Sequence, residues 1–255
     1  MATILSVDWD YFLAATTGER ITMFPDGGNE NLIIPLQNYV WLTQYATSII
    51  KAEKFGSKIM TDIKADNSEL DNLYDLIKKH KKKNTKMSVY ESHKNIADIF
   101  KIDEFICDNH DVINIDYHHD CFNTSDDSNV NCGNWGKLLL EQGKIKNLYW
   151  VKREDSDDDN IAFIKKIYCG IQELFNDNDS HIFEDGIDHI FICRSAVWTP
   201  PHLDDKFIQM VLKIKHLLDK GNIKGLYDLI RRWDEQAIEN IDTLTDEFRQ
   251  ALNMR

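Results

Sequence analysis

The sequence predicts an α/β fold, a mainly parallel β-sheet with helices on both faces and therefore three layers. Three observations lead there. Short runs rich in Val and Ile alternate with longer amphipathic stretches through most of the chain. Several of the short runs end in Asp or His, the residue types that α/β proteins collect at the carboxyl edge of a sheet. The 255 residues contain no repeat and no low-complexity linker, which suits a single domain over 1–255.

The elements follow in order. Residues 3–7 read as a buried first strand, which runs into Asp8 and Asp10. Residues 13–35 hold Gly18, Gly27, Gly28 and two prolines and read as an irregular loop. Pro35 opens a helix over 36–54. A short strand is expected at 58–63, then a helix from Asn67 to about residue 82, with lysines in its last turns as the helix dipole prefers. Residues 87–90 form the next strand, followed by His93 and a short helix over 94–101. Val112-Ile113-Asn114-Ile115 is a β-branched run and reads as a buried strand. A polar loop over 123–131 leads to Gly133-Asn134-Trp135-Gly136 and a helix over 137–141. Residues 147–151 are a strand, 154–159 an acidic solvated loop, and 161–175 an amphipathic helix. The last strand is 189–193, ending in Arg194-Ser195. Helices over 203–220, 223–234 and 235–252 make a helical C-terminal region.

Composition excludes several function classes. A net charge of −13 argues against nucleic-acid binding and would attract cationic substrates. Five cysteines, odd in number and without a C-x-x-C pair, suit a reducing cytoplasm better than a disulfide framework. Asp8 and Asp10 interrupt the first apolar run, so it does not read as a signal peptide. No apolar stretch approaches membrane-spanning length. Oligomeric state is not legible.

The chemistry concentrates at three strand ends. Asp116, His118 and Asp120 follow the 112–115 strand, and an extended chain would turn all three to one side, with Tyr117 and His119 facing away. Asp8 and Asp10 stand two apart after the first strand, and His93 follows another. In a parallel sheet all these ends lie on one edge, so six ligands can meet. Carboxylates gathered in this way repel one another and call for a cation. Four carboxylates and two imidazoles suit two divalent ions, and oxygen-rich ligation with some histidine favours manganese over zinc. The competing reading is a solvated turn, in which Asp and His are common.

Asp116-Tyr117-His118-His119-Asp120 resembles the D-x-H-x-D motif of the arginase-like ureohydrolases, and Ser6-Val7-Asp8-Trp9-Asp10 resembles their S-x-D-x-D motif. His93 stands before Asp116 at a spacing similar to that of the family's other histidine ligand. Ordinary arginases carry S-x-D-x-D late, whereas here it opens the chain. That order, the short length and the Ile192-Cys193-Arg194-Ser195 segment resemble the atypical peptide arginases, which convert arginine to ornithine within ribosomally made, post-translationally modified peptides. The resemblance implies an arginase/deacetylase-like fold, two Mn2+ and an arginine-containing precursor peptide as partner. It implies that Asp8 and Asp116 bridge the ions, that His93 and Asp120 complete one site, and that His118 and Asp10 complete the other. Asp120 would also hold the attacking hydroxide. Gly133-Asn134-Trp135-Gly136 is similar to the family's G-N-x-H stretch, with glycine where the proton-shuttle histidine stands, so His119 or His202 is the expected substitute. Asn134 and Ser195 are expected to touch substrate. No carboxylate matches the family's guanidinium holder.

Three other functions compete. Asp116-Tyr117-His118-His119 also looks similar to the D-x-H-H stretch of single-zinc amide deacetylases, although no second His-His pair is present. Val7-Asp8-Trp9-Asp10 resembles the first motif of aspartate-nucleophile phosphatases, which leaves the Asp116 cluster unexplained. A non-catalytic, metal-containing peptide-binding protein is the third.

Overall fold

The computed structural model describes residues 2–25, 34–101, 109–123, 129–159, 161–177, 181–219 and 235–253. Six strands, β1 (Thr3–Asp8), β2 (Lys81–Tyr90), β3 (His110–Ile115), β4 (Ile145–Lys152), β5 (Lys166–Cys169) and β6 (Ile187–Cys193), form one sheet in the order β2-β6-β1-β3-β4-β5. Every adjacent pair is parallel. The described helices are α1 (Thr17–Met23), α2 (Ile34–Phe55), α3 (Asn67–His80), α4 (Trp135–Glu141), α5 (Ile171–Asn176), α6 (Asp204–Leu217) and α7 (Glu235–Asn253).

All six residues of β1 and of β3 are buried, so both faces of the central sheet are covered. This is why consecutive residues at their centres, Ile4-Leu5 and Val112-Ile113, are apolar rather than alternating. On one face Ile4, Val112, Leu148 and Phe191 pack against Ile96, Ile99, Trp135 and Leu139. Ser6 and Asn114 stand in register on that same face, toward the carboxyl ends of β1 and β3. From β1 the chain goes to β2 on one side of the sheet, and from β3 it goes to β4 on the other. The crevice between the carboxyl ends of β1 and β3 is therefore the topological switch point, where open α/β sheets place ligands.

Three expected elements differ. Residues 58–63 are not a strand: Met60–Asp62 is a 3-10 turn, closed where the Ile59 N–H donates to Asp62 Oδ2 at 3.1 Å. The helix expected over 161–175 is a 3-10 turn (Ile161–Phe163), then β5, then α5. Gly170, at φ 96°, makes the break that a side chain would resist. Within the loop expected over 13–35, α1 forms behind a capping box of Thr16 and Glu19, and residues 26–33 lie outside the described residues. The helix expected over 223–234 and part of the 123–131 loop also lie outside them.

The chain gathers into two compact units. One holds the whole sheet with α3, α4 and α5, and the other holds α1, α2 and α7. In the second unit α2 packs on α7, and Arg249 pairs with Glu53. Among the described residues no helix is long and apolar enough to cross a membrane.

Candidate metal centre

Asp8 ends β1, Asp116 follows β3, and His93 starts the 3-10 helix (His93–Lys101) after β2. The three are buried together, each offering a ligand atom within 4.8 Å of the others. Asp10, Asp116 and His118 form a second such group, so Asp116 belongs to both. Asp120 joins the first: its Oδ2 lies 3.0 Å from His93 Nδ1. All six predicted ligands are thus brought to one place, at the switch point and inside the unit that holds the sheet.

The chain is bent beyond Ile115, not extended as expected, so strand alternation does not bring Asp116, His118 and Asp120 together. Local hydrogen bonds do so instead. The His118 N–H donates to Asp116 Oδ1 at 2.9 Å, an Asx turn. Asp120 adopts a left-handed φ of 55°, and its carbonyl accepts from the Gly136 N–H at 2.9 Å. The same device recurs after β1, where the Asp10 N–H donates to Asp8 Oδ1 at 3.1 Å.

His93 Nδ1 tests whether this set fits a cation. It faces Asp8 Oδ2 at 3.1 Å, Asp116 Oδ2 at 3.1 Å and Asp120 Oδ2 at 3.0 Å. No hydrogen bond of sound geometry is made to it. One N–H can satisfy one oxygen, whereas a cation shared among three oxygens and a ring nitrogen satisfies all four. The far nitrogen, Nε2, lies 2.6 Å from Ser6 Oγ. With its proton donated to Ser6, the Nδ1 lone pair faces the carboxylates, which is the tautomer a metal needs. The ring is held between Phe191, stacked at 5.6 Å, and Trp135 at 5.0 Å.

Electrostatics point the same way. Burial pushes the Asp8 carboxyl up to about 7, helped by repulsion from Asp10 and Asp116. Burial likewise raises Asp116 well above the carboxylate range, with Asp120 and Asp10 adding to it. Burial would lower His93, but the carboxylates around it prevail and raise it well above its ordinary value. His118 is pushed up to about 9 in the same contest, chiefly by Asp10. Each of these shifts favours added positive charge in the cluster, which a divalent ion would supply.

Surrounding groups orient the ligands. Ser195 Oγ donates to Asp8 Oδ2 at 2.5 Å. Asn114 Nδ2 donates to Asp116 Oδ2 at 3.2 Å, and Trp135 Nε1 to Asp120 Oδ2 at 2.5 Å. The sequence singles out neither Asn114 nor Trp135 as functional, and Ser6 only as the first residue of the S-x-D-x-D motif. Ser6 and Asn114 carry a findable signal, since each is a polar residue flanked on both sides by apolar ones, Leu5 and Val7 or Ile113 and Ile115, on a wholly buried strand.

The other predicted site residues differ in their surroundings. His119 turns away from the ligand face, as expected of the residue between His118 and Asp120. Its Nδ1 accepts from the Cys121 N–H at 3.0 Å, and its ring lies on Phe122 and against the edge of Trp150. None of these contacts reaches the carboxylates. Asn134 organises its own loop, accepting from the Asn131 N–H at 2.8 Å and donating to Asn129 O at 3.0 Å. Ser195 reaches a ligand, Asp8. His202 belongs to the other unit, where one ring nitrogen meets the Tyr45 hydroxyl and the other meets Ile63 O at 3.0 Å. At Gly136 a Cβ would stand 2.8 Å from Leu148 Cδ2 and 3.0 Å from Asp120 O, so the packing there has no room for a histidine.

Only His118 among the ligands is appreciably open, with 31% of its side chain exposed against 1% for His93. The fold and the cluster together define an α/β protein with a buried carboxylate–histidine centre that could hold a metal ion. Comparison with family models, curated proteins and solved structures gives no match.

Proposed function

We propose that the protein is a binuclear-manganese hydrolase that converts arginine side chains of a precursor peptide to ornithine and releases urea. The observation that carries this reading is the sharing of Asp116 between two ligand groups, Asp8–His93–Asp116 and Asp10–Asp116–His118. One shared carboxylate between two sets is the donor arrangement that two neighbouring divalent ions require. The motif resemblance supplies the choice of guanidino substrate. In the overall reaction water adds to the guanidinium carbon and the bond from that carbon to the side-chain nitrogen breaks, leaving a primary amine and urea. Bound ions would supply an activated water and stabilise the charge that develops at carbon.

The chain's own residues have distinct parts in this reading. His93, Asp8 and Asp120 would hold one ion, Asp10 and His118 the other, and Asp116 both, with Asp8 the second bridge. The exposure of His118 supports substrate approach from its side. The acidic balance of the chain, −13, suits a cationic peptide. Four described cysteines carry no disulfide, which suits work in the cytoplasm. The deacetylase reading rests on the Asp10–Asp116–His118 group, which contains the Asp116 and His118 of the D-x-H-H stretch and by itself gives three ligands for a single zinc with an open position.

The test is mass spectrometry of an arginine-containing peptide incubated with protein and Mn2+, with free arginine assayed for urea in parallel. Conversion of peptide arginine to ornithine, lost on chelation and with two Mn2+ bound per chain, is the expected result. Turnover of free arginine alone would remove the peptide from the proposal. One bound zinc with release of acetate from acylated amines would replace it with the deacetylase reading.

A further inference from the structure

We infer that Trp135 is a positioning residue of the metal centre, setting the orientation of Asp120 through its indole N–H and the plane of His93 through its ring. The inference rests on the binuclear reading above. Trp135 is the first residue of α4 and is fully buried. Its Nε1 donates to Asp120 Oδ2 at 2.5 Å, and that same oxygen lies 3.0 Å from His93 Nδ1. The indole therefore fixes the one oxygen of Asp120 that faces the ligand nitrogen. Its ring centroid lies 5.0 Å from that of His93. A single side chain thus touches two ligands that come from different strand ends.

The backbone explains why the task falls to position 135. Asp120 holds a left-handed φ of 55°, and the Gly136 N–H secures its carbonyl at 2.9 Å. Gly136 packs against Leu148 and Cys121 with no space for a Cβ, so α4 is pressed onto the Asp120 loop. The residue before that glycine is brought beside the carboxylate. A donor is needed there, because a buried carboxylate without one can turn, protonate or chelate with both oxygens. Indole offers a donor only, with no acceptor to compete for the ion.

The experiment compares wild type, Trp135→Phe and Trp41→Phe, each stripped of metal and titrated with Mn2+ by calorimetry. Trp41 serves as the control because it is also buried and donates its indole hydrogen bond to a backbone carbonyl, Ala196 O at 3.0 Å, rather than to a ligand carboxylate. Loss of a bond that orients a ligand typically weakens metal binding by about 10- to 100-fold. Trp135→Phe should show that loss while Trp41→Phe binds as wild type does. Melting curves in chelator check that both variants fold. Should Trp135→Phe not fold, the indole N–H resonance of Trp135 in wild-type protein decides. It should broaden with the first equivalents of paramagnetic Mn2+. Equal Mn2+ affinity in a folded Trp135→Phe, or a Trp135 resonance left sharp by the first equivalents of Mn2+, overturns the positioning role and leaves the hydrolase reading intact. Failure of wild type to bind Mn2+ overturns both.

Discussion

At the amino-terminal edge of the sheet, Asp188 accepts from the Thr3 N–H at 2.9 Å and from Lys82 Nζ at 2.7 Å. Nearby, Asp177 takes Lys166 Nζ and the Tyr168 hydroxyl, both at 2.7 Å, and Asp111 takes Asn147 Nδ2 at 2.7 Å. At the carboxyl edge, Asp8, Asp116 and Asp120 instead crowd one histidine nitrogen that makes no proper hydrogen bond. The first edge answers its carboxylates with lysine, amide and hydroxyl donors. The second also supplies hydroxyl, amide and indole donors, from Ser195, Asn114 and Trp135, yet still turns three carboxylates toward a point that a cation would satisfy. Two histidines on the sheet's ligand-bearing face sharpen the contrast. His189, with Lys86 as its charged neighbour, is driven by burial down to about 4, whereas His93 is held well above its ordinary value by carboxylates. Burial acts on both histidines, and the neighbours decide the sign.

The largest way to break this contrast is Asp116→Asn, which removes the carboxylate common to both ligand groups. Bound Mn2+ should fall from two ions to none, and turnover by on the order of a thousandfold or more. The same change relieves repulsion in the metal-free cluster, so in chelator the variant should be more stable than wild type by about 1 kcal/mol. Full turnover, or a less stable variant in chelator, would contradict the reading of a cluster strained by its own charge.

Next comes pH. His189 binds its proton more weakly folded than unfolded, so the unfolded chain takes up more protons between about pH 6.5 and the folded value of about 4. Stability from this residue is present above that window and falls as pH drops through it, by about 3 kcal/mol in all. Denaturant melts across the window should show a slope that flattens in His189→Gln. An unchanged slope would mean that other groups govern acid unfolding.

A smaller effect is expected at Ser195, which donates to Asp8 at 2.5 Å. Ser195→Ala should weaken Mn2+ binding by about tenfold, read by calorimetry, with little change in stability when metal is absent. The smallest should come from the other edge. Asp188→Asn weakens a partly exposed ion pair with Lys82, costs about 1 kcal/mol or less, and should leave Mn2+ affinity unchanged. A loss of metal binding there would show that the two edges are not independent.

Much of the site was legible in the chain because its ligands sit next to strands that announce themselves. The runs before Asp8 and Asp116 are short, β-branched and apolar, and central parallel strands buried on both faces have to be so. Spacing could not show the outer ring. Trp135 and Ser195 reach Asp120 and Asp8 across 15 and 187 residues. Nor did strand alternation explain the convergence of Asp116 and His118, which depends on the Asx turn between them.

The misread stretch over 161–175 shows the limit from the other direction. Its apolar residues recur at helix-like intervals, yet β5 pairs with the free edge of β4, and Gly170 breaks the chain before α5. An edge strand is chosen by the neighbour it completes, which local sequence does not contain. The sequence alone determined the residue types of the centre and the strands that carry them, because burial and ligand chemistry are written locally. Tertiary structure alone decided which partners orient the ligands and that no side chain fits at Gly136. Those outcomes depend on packing and hydrogen bonds between segments far apart in the chain.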